Sequence, residues 1–578
     1  MSTVRRLGSP RARLSFLNRA GEAVSELRGA GRALFILFAG MLVVSTLALL
    51  FMLESSIVVP SPSRGGTLTE GIVGTPRFIN PVLAISDADR DLTALIYSGL
   101  LRATPEGEYV PDLAQEYSVS EDGLIYTALL REGIVFHDGT PVTAEDIVFT
   151  VHKAQAAAIK SPLRANWDSV TVEAPDARTV RFTLPAPYAP FIENLTLGIL
   201  PAHLWEGVAK EEFPFSELNT DPVGSGPYKV ESIARSQGGI PSVYTLRAND
   251  SYALGEPYLS RLRLNFYQNE AALAKALKDK EVESGSGLSQ AGVEGLKEAP
   301  KTTSLNRVFG VFFNQNQSEV LRNKTVREAL SLAIDRQLLV EEVLGGFGTP
   351  LVGPVPPSLL HTPVPTRTED PVAEAQQMLL DAGWRLEGTA LVRGEDDEIE
   401  QLSFSLSTGN VPELRRAAEY VRDVWGRMGA QVEVHIYEAG DLSQNVIRPR
   451  KYDALLFGEV IGRELDLYAF WHSSQRNDPG LNIALYANVT ADAALETMRQ
   501  TQDDARRLEL YQEFLGEIET DIPAVFLYAP DFVYSVPNDL NGITLGLVET
   551  PSDRFLSITQ WHREVDYVWP VFASGRAR

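Results

Sequence analysis

Apolar residues recur along the chain in three rhythms, and each predicts a different kind of element. The first is unbroken. Ala33 to Leu53 is a run of twenty-one residues without a charge, long enough to cross a hydrocarbon core of ~30 Å at ~1.5 Å per residue. The second is alternation: Gly66 to Ile72, Arg261 to Phe266, and Val432, Val434 and Ile436 predict strands with one buried face. The third is helical. Val326, Ala329, Leu330, Ala333 and Ile334 trace one face, as do Leu414, Ala417, Ala418, Val421, Trp425 and Met428, and again Leu508, Tyr511, Leu515 and Ile518. Asp89 to Leu101, Glu270 to Leu277 and Glu374 to Trp384 complete the helical stretches.

Punctuation residues set the limits of these elements. Asp122-Gly123 lies between two alternating runs and predicts a hairpin. Thr325 followed by Glu328 has the spacing of a capping box, Asp370-Pro371 opens a helix, and Gly383 and Gly429 close two. Pro354 to Pro371 holds six prolines in eighteen residues and reads as loop. Within Arg131 to Val151, Ile134 to Phe136 predict a short strand, His137-Asp138-Gly139 a turn, Pro141 the end of pairing, and Thr143 with Asp146 a helix cap. Ile147, Val148 and Val151 would then face the core. Gly224 and Gly226 suit close backbone approach and positive φ. From Leu305 onward, strand and helix patterns alternate as in an α/β lobe.

That Arg131–Val151 stretch contains F-H-D-G-T-P-V-T-A-E-D-I-V-F-T-V, which closely resembles family 5 of the bacterial extracellular solute-binding proteins, the oligopeptide, dipeptide and nickel binders of ABC importers. Four further segments share the resemblance. They are Phe78-Ile-Asn-Pro81 with a helix ending in Tyr97-Ser-Gly-Leu100, Asp221 to Val230 (D-P-V-G-S-G-P-Y-K-V), Ala333-Ile-Asp-Arg336, and Pro523 to Tyr528. The resemblance implies an α/β, two-lobed periplasmic-binding-protein-like fold of class II type with an extra small domain, here preceded by one transmembrane helix. The limits expected on that basis are 66–108, 222–304 and 535–578 for lobe I, 109–221 for the small domain and 305–534 for lobe II. The two lobes would join at crossings near Leu305 and between Leu527 and Val536.

Charge refines the membrane segment. Seven arginines and two glutamates occupy residues 1–53, whereas the whole chain carries a formal charge of −24. A basic tail (1–32) before the apolar run (33–53) and Glu54 after it place the N-terminus in the cytoplasm and the body outside. The competing reading is a cleaved signal peptide. Against it, the run exceeds a signal core of about 7–15 residues, and no Ala-x-Ala site follows. Residues 54–65, with Pro60 and Pro62, read as a short stiff tether. The strongly acidic body argues against nucleic acid as a partner.

Catalytic and metal chemistry find little support. The chain has no cysteine, and its seven histidines lack H-x-x-x-H or H-E-x-x-H spacing. There is no Gly-Lys dipeptide and hence no P-loop, and no G-x-S-x-G elbow. The expectation is a non-enzyme without cofactor or metal. It would be a monomer that captures a peptide or another extended solute and docks on ABC permease subunits. A surface sensor or adhesion receptor of the same fold is the alternative.

Candidate ligand contacts centre on Tyr452 to Ser474, where an apolar strand ends at Gly458 and gives way to a polar segment. Peptide binders of the family read like G-W-x-x-D-x-x-D-P-D here. Glu464 and Asp466 align with the last two acids, while the amine-pairing Asp falls near Ile461 or Gly462, leaving Glu459 as the neighbouring source of charge. A solvated acidic loop would read the same way. Tyr97, Phe313, Asn314 and Trp471 complete the expected set. Asn314 ends an apolar strand, where its amide can meet a solute.

Overall fold

The computed structural model describes residues 29–57, 59–360, 369–395 and 399–569. Residues 1–28 of the basic tail and positions 361–368 of the proline-rich stretch lie outside them. The chain divides into two units: Arg64–Arg563, and Met1–Ser63 together with Glu564–Arg578.

The body, Arg64–Arg563, is organised on a sheet that is twelve-stranded among the described residues. Across it run Gln431–Tyr437, Ser403–Gly409, Ala454–Val460, Arg307–Phe313, Ala524–Ser535, Ser284–Ser286, Gly65–Val73, Leu259–Tyr267, Pro241–Ala248 and Tyr228–Arg235. Ala524–Ser535 belongs to both halves. Its first residues pair with Arg307–Phe313, in the register Val311↔Val525, while its last pair with Lys301–Ser304 and Ser284–Ser286. The chain crosses the other way between Ser304 and Arg307. The two lobes are thus joined by two adjacent backbone segments.

Each lobe has its own core. In lobe I, Leu68, Leu262 and Leu264 pack in one cluster with Tyr126, Trp167 and Phe182 of the small domain. That domain carries the sheet Ala114–Val119, Ile125–Leu130, Thr179–Thr183 and Thr171–Glu173, in that order. The Asp122-Gly123 hairpin forms as expected, with Gly123 at φ 68°. In lobe II the sheet is covered on both faces. Helices Lys324–Leu332 and Pro412–Met428 lie over Val311, Leu406 and Leu456, and helix Asp504–Asp521 lies with Trp471 over Val308, Phe312 and Leu455. Lobe I is tied internally by the fully buried Arg554, which pairs with Glu70 and Asp91, each at 2.7 Å.

Several local expectations are corrected. Ile134–Phe136 is not a strand. Val135 and Pro141 form a single antiparallel bridge, and Phe136 N–H donates to Thr140 O, so Pro141 closes this loop instead of ending a pairing. The cap of Lys324–Leu332 is Asn323, whose side chain accepts from Thr325 N–H; a residue two positions before Thr325 wins because the helix starts two residues earlier than a Thr325 cap would have it. Leu508 is 44% exposed, and the buried stripe of its helix is Leu510, Tyr511, Phe514 and Ile518. Gly224 and Gly226 do not adopt positive φ. They are required by proximity, since a Cβ on Gly224 would stand 2.1 Å from Ile96 O. Thr143 does form a capping box with Asp146.

His137 fastens the small domain to this glycine segment. Its Nδ1 accepts from Gly224 N–H and its Nε2–H donates to Gly226 O at 3.1 Å, a neutral tautomer. Burial pushes the imidazole down to about 4.

In the smaller unit, helix Ala30–Ile57 runs for 28 residues, with apolar side chains exposed from Leu34 to Leu49. The expected tether is more ordered than its prolines suggested. Val59–Pro62 is a strand, paired antiparallel with Val565–Val568 near the C-terminus. Residues 564–569, expected in lobe I, group with this unit, and 570–578 lie outside the described residues.

Candidate functional site

Lobe II meets lobe I and the small domain through the segment that follows strand Ala454–Val460. Because its residues leave the sheet just past the hinge, their side chains reach across the gap. Ile461 N–H donates to Asn306 O at 2.8 Å and anchors the turn. Arg463, with only 9% of its side chain exposed, then places its guanidinium 2.6 Å from Asp553 and 3.8 Å from Glu549 of lobe I. Asp553 is held in place as the third residue of a capping box with Thr550 and also accepts from Glu549 N–H. A Cβ on Gly462 would lie 3.5 Å from Glu193 Oε2 of the small domain. Burial pushes the Glu193 carboxyl up to about 8, with the charge of Glu549 adding to the effect and Arg463 opposing it. Burial raises Glu549 as well.

A second bridge lies alongside. Tyr188 of the small domain donates its hydroxyl to Asp466 Oδ2 at 3.0 Å, and Arg499 pairs with the same oxygen at 3.0 Å. The Arg499 guanidinium lies 4.8 Å from the Tyr188 ring and 4.4 Å from Tyr468, and Ala189 N–H donates to Arg499 O at 2.8 Å. Glu464 faces its own lobe, paired with Arg507 at 3.4 Å, while Tyr511 Oη donates to its carbonyl. Burial raises the Glu464 carboxyl.

Glu459 lies on the same lobe II face, opposite Val308 in the strand register and 3% exposed. Neither carboxylate oxygen has a hydrogen-bond partner among the described residues, and burial holds its pKa well above the usual carboxylate range. An isolated buried carboxylate is costly in its charged form. Asn306, two strand positions on and opposite Ile461, shares that face. Its Oδ1 accepts from Ser358, but its Nδ2 has no partner among the described residues. Trp471 Nε1, in the cluster that covers this face, is also without one.

The remaining expected residues are structural in placement. Trp471 and Phe313 have no exposed surface: Trp471 packs against Phe312, Tyr486, Phe514 and Phe526, and Phe313 lies in the other lobe II core. Asn314 organises the turn after its strand, donating to Arg450 O at 2.9 Å and accepting from Asn316 and Gln317 N–H. Gly458 is dictated by its neighbour, since a Cβ there would stand 2.6 Å from the Phe309 ring. Tyr97 is 5% exposed in the lobe I core, its hydroxyl 3.4 Å from Ile79 O.

Among the acids read from the sequence, the structure therefore brings Asp466 to the junction itself, with Glu464 and Glu459 behind it in lobe II. It adds Arg463, Glu193, Tyr188, Arg499, Glu549 and Asp553, which sequence reasoning passed over. Only Arg463 had a local signal, as the cation inside G-R-E-L-D. The others come from distant segments and meet only when the lobes do.

Comparison with known proteins follows the same outline. Residues 108–479 match the sequence profile of bacterial extracellular solute-binding proteins, family 5 Middle. The chain is 28% identical over 499 residues to the oligopeptide-binding protein AppA of Bacillus subtilis, covering 83% of this chain and 89% of that protein. The structure of Bacillus subtilis AppA in complex with a nonapeptide superposes with a TM-score of 0.66 at 26% identity, over 86% of this chain and 99% of the other. That of the ABC transporter substrate-binding protein CtaP from Listeria monocytogenes gives 0.72 at 26% identity, over 87% and 100%.

Proposed function

The chain belongs to the family 5 bacterial extracellular solute-binding proteins, and on that premise we propose that its two lobes close over a peptide and that helix Ala30–Ile57 anchors it in the membrane. It is the substrate-binding component of an ABC importer, whose separate ATPase subunits supply the energy. The reading involves no covalent step. The body works as a monomer outside the cytoplasmic membrane, with lobe I formed by 66–108, 222–304 and 535–563, the small domain by 109–221 and lobe II by 305–534.

One observation carries the closure mechanism: the lobes are held together by polar contacts that water can replace. Arg463 with Asp553 and Glu549, and Asp466 with Tyr188, are ion pairs and hydrogen bonds, not a shared apolar core. Such contacts cost little net free energy to exchange for hydration. Rotation about two adjacent backbone segments can therefore open the cleft, and a ligand shifts the equilibrium by its preference for the closed form.

A peptide is favoured because the relatives at this likeness are an oligopeptide-binding protein and its nonapeptide complex. Glu459 is assigned to the ligand's ammonium end, with the Asn306 amide on the same face of the sheet. A cation delivered to an unpartnered buried carboxylate removes the penalty of its isolation. Asp466 and Glu464 act in closure, and Tyr97, Phe313, Asn314 and Gly458 shape the walls that hold these groups.

The test is a thermal-shift series on the full chain in detergent, with peptides of two to nine residues carrying free or acetylated N-termini. At 100 times Kd, a ligand of the closed form adds ~2.7 kcal/mol of stability. Free-amine peptides should raise the transition and acetylated ones should not. Equal shifts would remove Glu459 from the reading, and no shift from any peptide would remove the peptide.

A further inference from the structure

The strand Val565–Val568 lies outside the solute-binding body and has no part in closure. Its register with Val59–Pro62 is Val59↔Val568, Pro60↔Tyr567, Ser61↔Asp566 and Pro62↔Val565. Val59–Pro62 leads away from helix Ala30–Ile57, so its antiparallel partner runs back toward the end of that helix. Val568 is level with Val59, two residues beyond the last helical residue, and Trp569 comes next.

Two large aromatics, one on this strand and one just past its end, sit in the wrong place for a soluble hairpin. Tyr567 is 73% exposed and Trp569 46% exposed. Two positions apart in an extended chain, they point to one side, while Asp566 and Val568 point to the other. Tyr and Trp are the residues whose ring and polar tip suit the boundary between headgroups and acyl chains.

Heights along the chain agree. The uncharged run ends at Leu53, and the four residues to Ile57 add ~6 Å of helix rise. A single residue spans at most ~3.6 Å in any conformation, so Trp569 stands at most ~10 Å above the hydrocarbon edge. The headgroup layer is roughly 5–8 Å thick on each side, within reach of an indole. Tyr567, two residues farther out by ~7 Å, lies on the aqueous side of that layer.

We infer that Trp569 docks into the headgroup zone of the bilayer that helix Ala30–Ile57 crosses, with Tyr567 above it on the same side, so that the chain touches its membrane at the anchor and again at residue 569. The inference rests on the membrane-anchor part of the proposed function. The occupant of the aromatic face is a lipid surface, and zwitterionic lipid suits it better than anionic lipid because Glu564 and Asp566 flank the pair.

The chain has no cysteine, so single nitroxide labels can be placed without a background. The full chain is reconstituted in phosphatidylcholine vesicles with labels at Thr46→Cys, Trp569→Cys, Asp566→Cys and the exposed Gly238→Cys. Relative accessibility to oxygen and to a water-soluble nickel complex gives the depth of each. The expected order is Thr46 deepest, Trp569 at the interface, and Gly238 in water. A second measurement needs no label: tryptophan quenching by brominated phosphatidylcholine should fall on Trp569→Phe substitution. A deep Thr46 with a fully aqueous Trp569 and unchanged quenching overturns the docking and leaves the anchor intact. An aqueous Thr46 overturns the anchor and the docking with it. Labels at 569 shielded from both reagents, with spin–spin broadening, would assign the face to a second copy and overturn the lipid contact.

Discussion

Arg463 is the cation on which closure turns. Replacing it with alanine leaves Asp553 and Glu549 of lobe I and Glu193 of the small domain at the lobe junction without the cation that lobe II brings to them. Removing one partner of a buried pair costs about 3–5 kcal/mol. Glu193 already holds its proton near neutral pH, having been pushed up to about 8 by burial, so the lower end, about 3 kcal/mol, applies. At about 1.4 kcal/mol per tenfold, that is roughly a 150-fold fall in the ratio of closed to open molecules, with no cost to either lobe's core. Apparent Kd rises as the closed fraction falls. Paired labels on cysteines at Lys210→Cys in the small domain and Glu513→Cys in lobe II, read by pulsed electron–electron resonance, should show Arg463→Ala shifted to the longer distance without ligand, and ligand should restore the shorter one. If the distance distribution of Arg463→Ala matches that of the parent while peptide affinity is also unchanged, the closure argument fails.

Asp466→Ala removes the bond to Tyr188 and the pair with Arg499. It should weaken peptide binding by about five- to thirtyfold in calorimetry, equivalent to about 1–2 kcal/mol, whereas His137→Ala should lower the melting temperature and leave affinity unchanged. The opposite ranking would move the site to the small domain. Arg554→Met leaves Glu70 and Asp91 buried without their cation. It should cost about 3–5 kcal/mol in a denaturant melt, and a loss below ~1 kcal/mol would contradict the assigned role. Glu193 takes its proton more readily when buried, its pKa rising from 4.5 to about 8. Its contribution to closure is therefore complete below pH 4.5 and lost as pH rises through 8. The closed fraction measured by the same labels should fall as pH rises from 4.5 to about 8, and Glu193→Gln should flatten that slope. His137 titrates in the other direction. Its pKa falls from 6.5 to about 4 on folding, so the stability it contributes is present above pH 6.5 and lost as pH drops through 4. Scanning calorimetry of His137→Gln should show less acid sensitivity over that interval.

The elements read from the sequence were those whose stabilising contacts are periodic or adjacent. The stripe of Leu414, Ala417, Ala418, Val421, Trp425 and Met428 is wholly buried in helix Pro412–Met428, and Gly429 ends it at φ 111°. The strand Leu259–Tyr267 and the capping box of Thr143 also stand where local spacing put them. Local rules failed where a distant segment competed. Leu508 fits the helical period but lies exposed, and the strand-like Ile134–Phe136 is taken up in a loop closed by Pro141.

The candidate site divides along the same line. Glu459, Glu464 and Asp466 were legible because they follow an apolar strand that had to end. Their roles were not. Strand register turns Glu459 under the loop, Arg507 draws Glu464 to its own lobe, and Tyr188 meets Asp466 from 278 positions away. A sequence by itself determines period, caps, charge balance and family, because these depend on neighbours along the chain. Only the tertiary structure decides which buried charge finds a partner, because Arg463 and Asp553 become neighbours through the closing of two lobes. The pairing of Val59 with Val568 belongs to the same class, joining two segments whose separation in sequence conceals their contact.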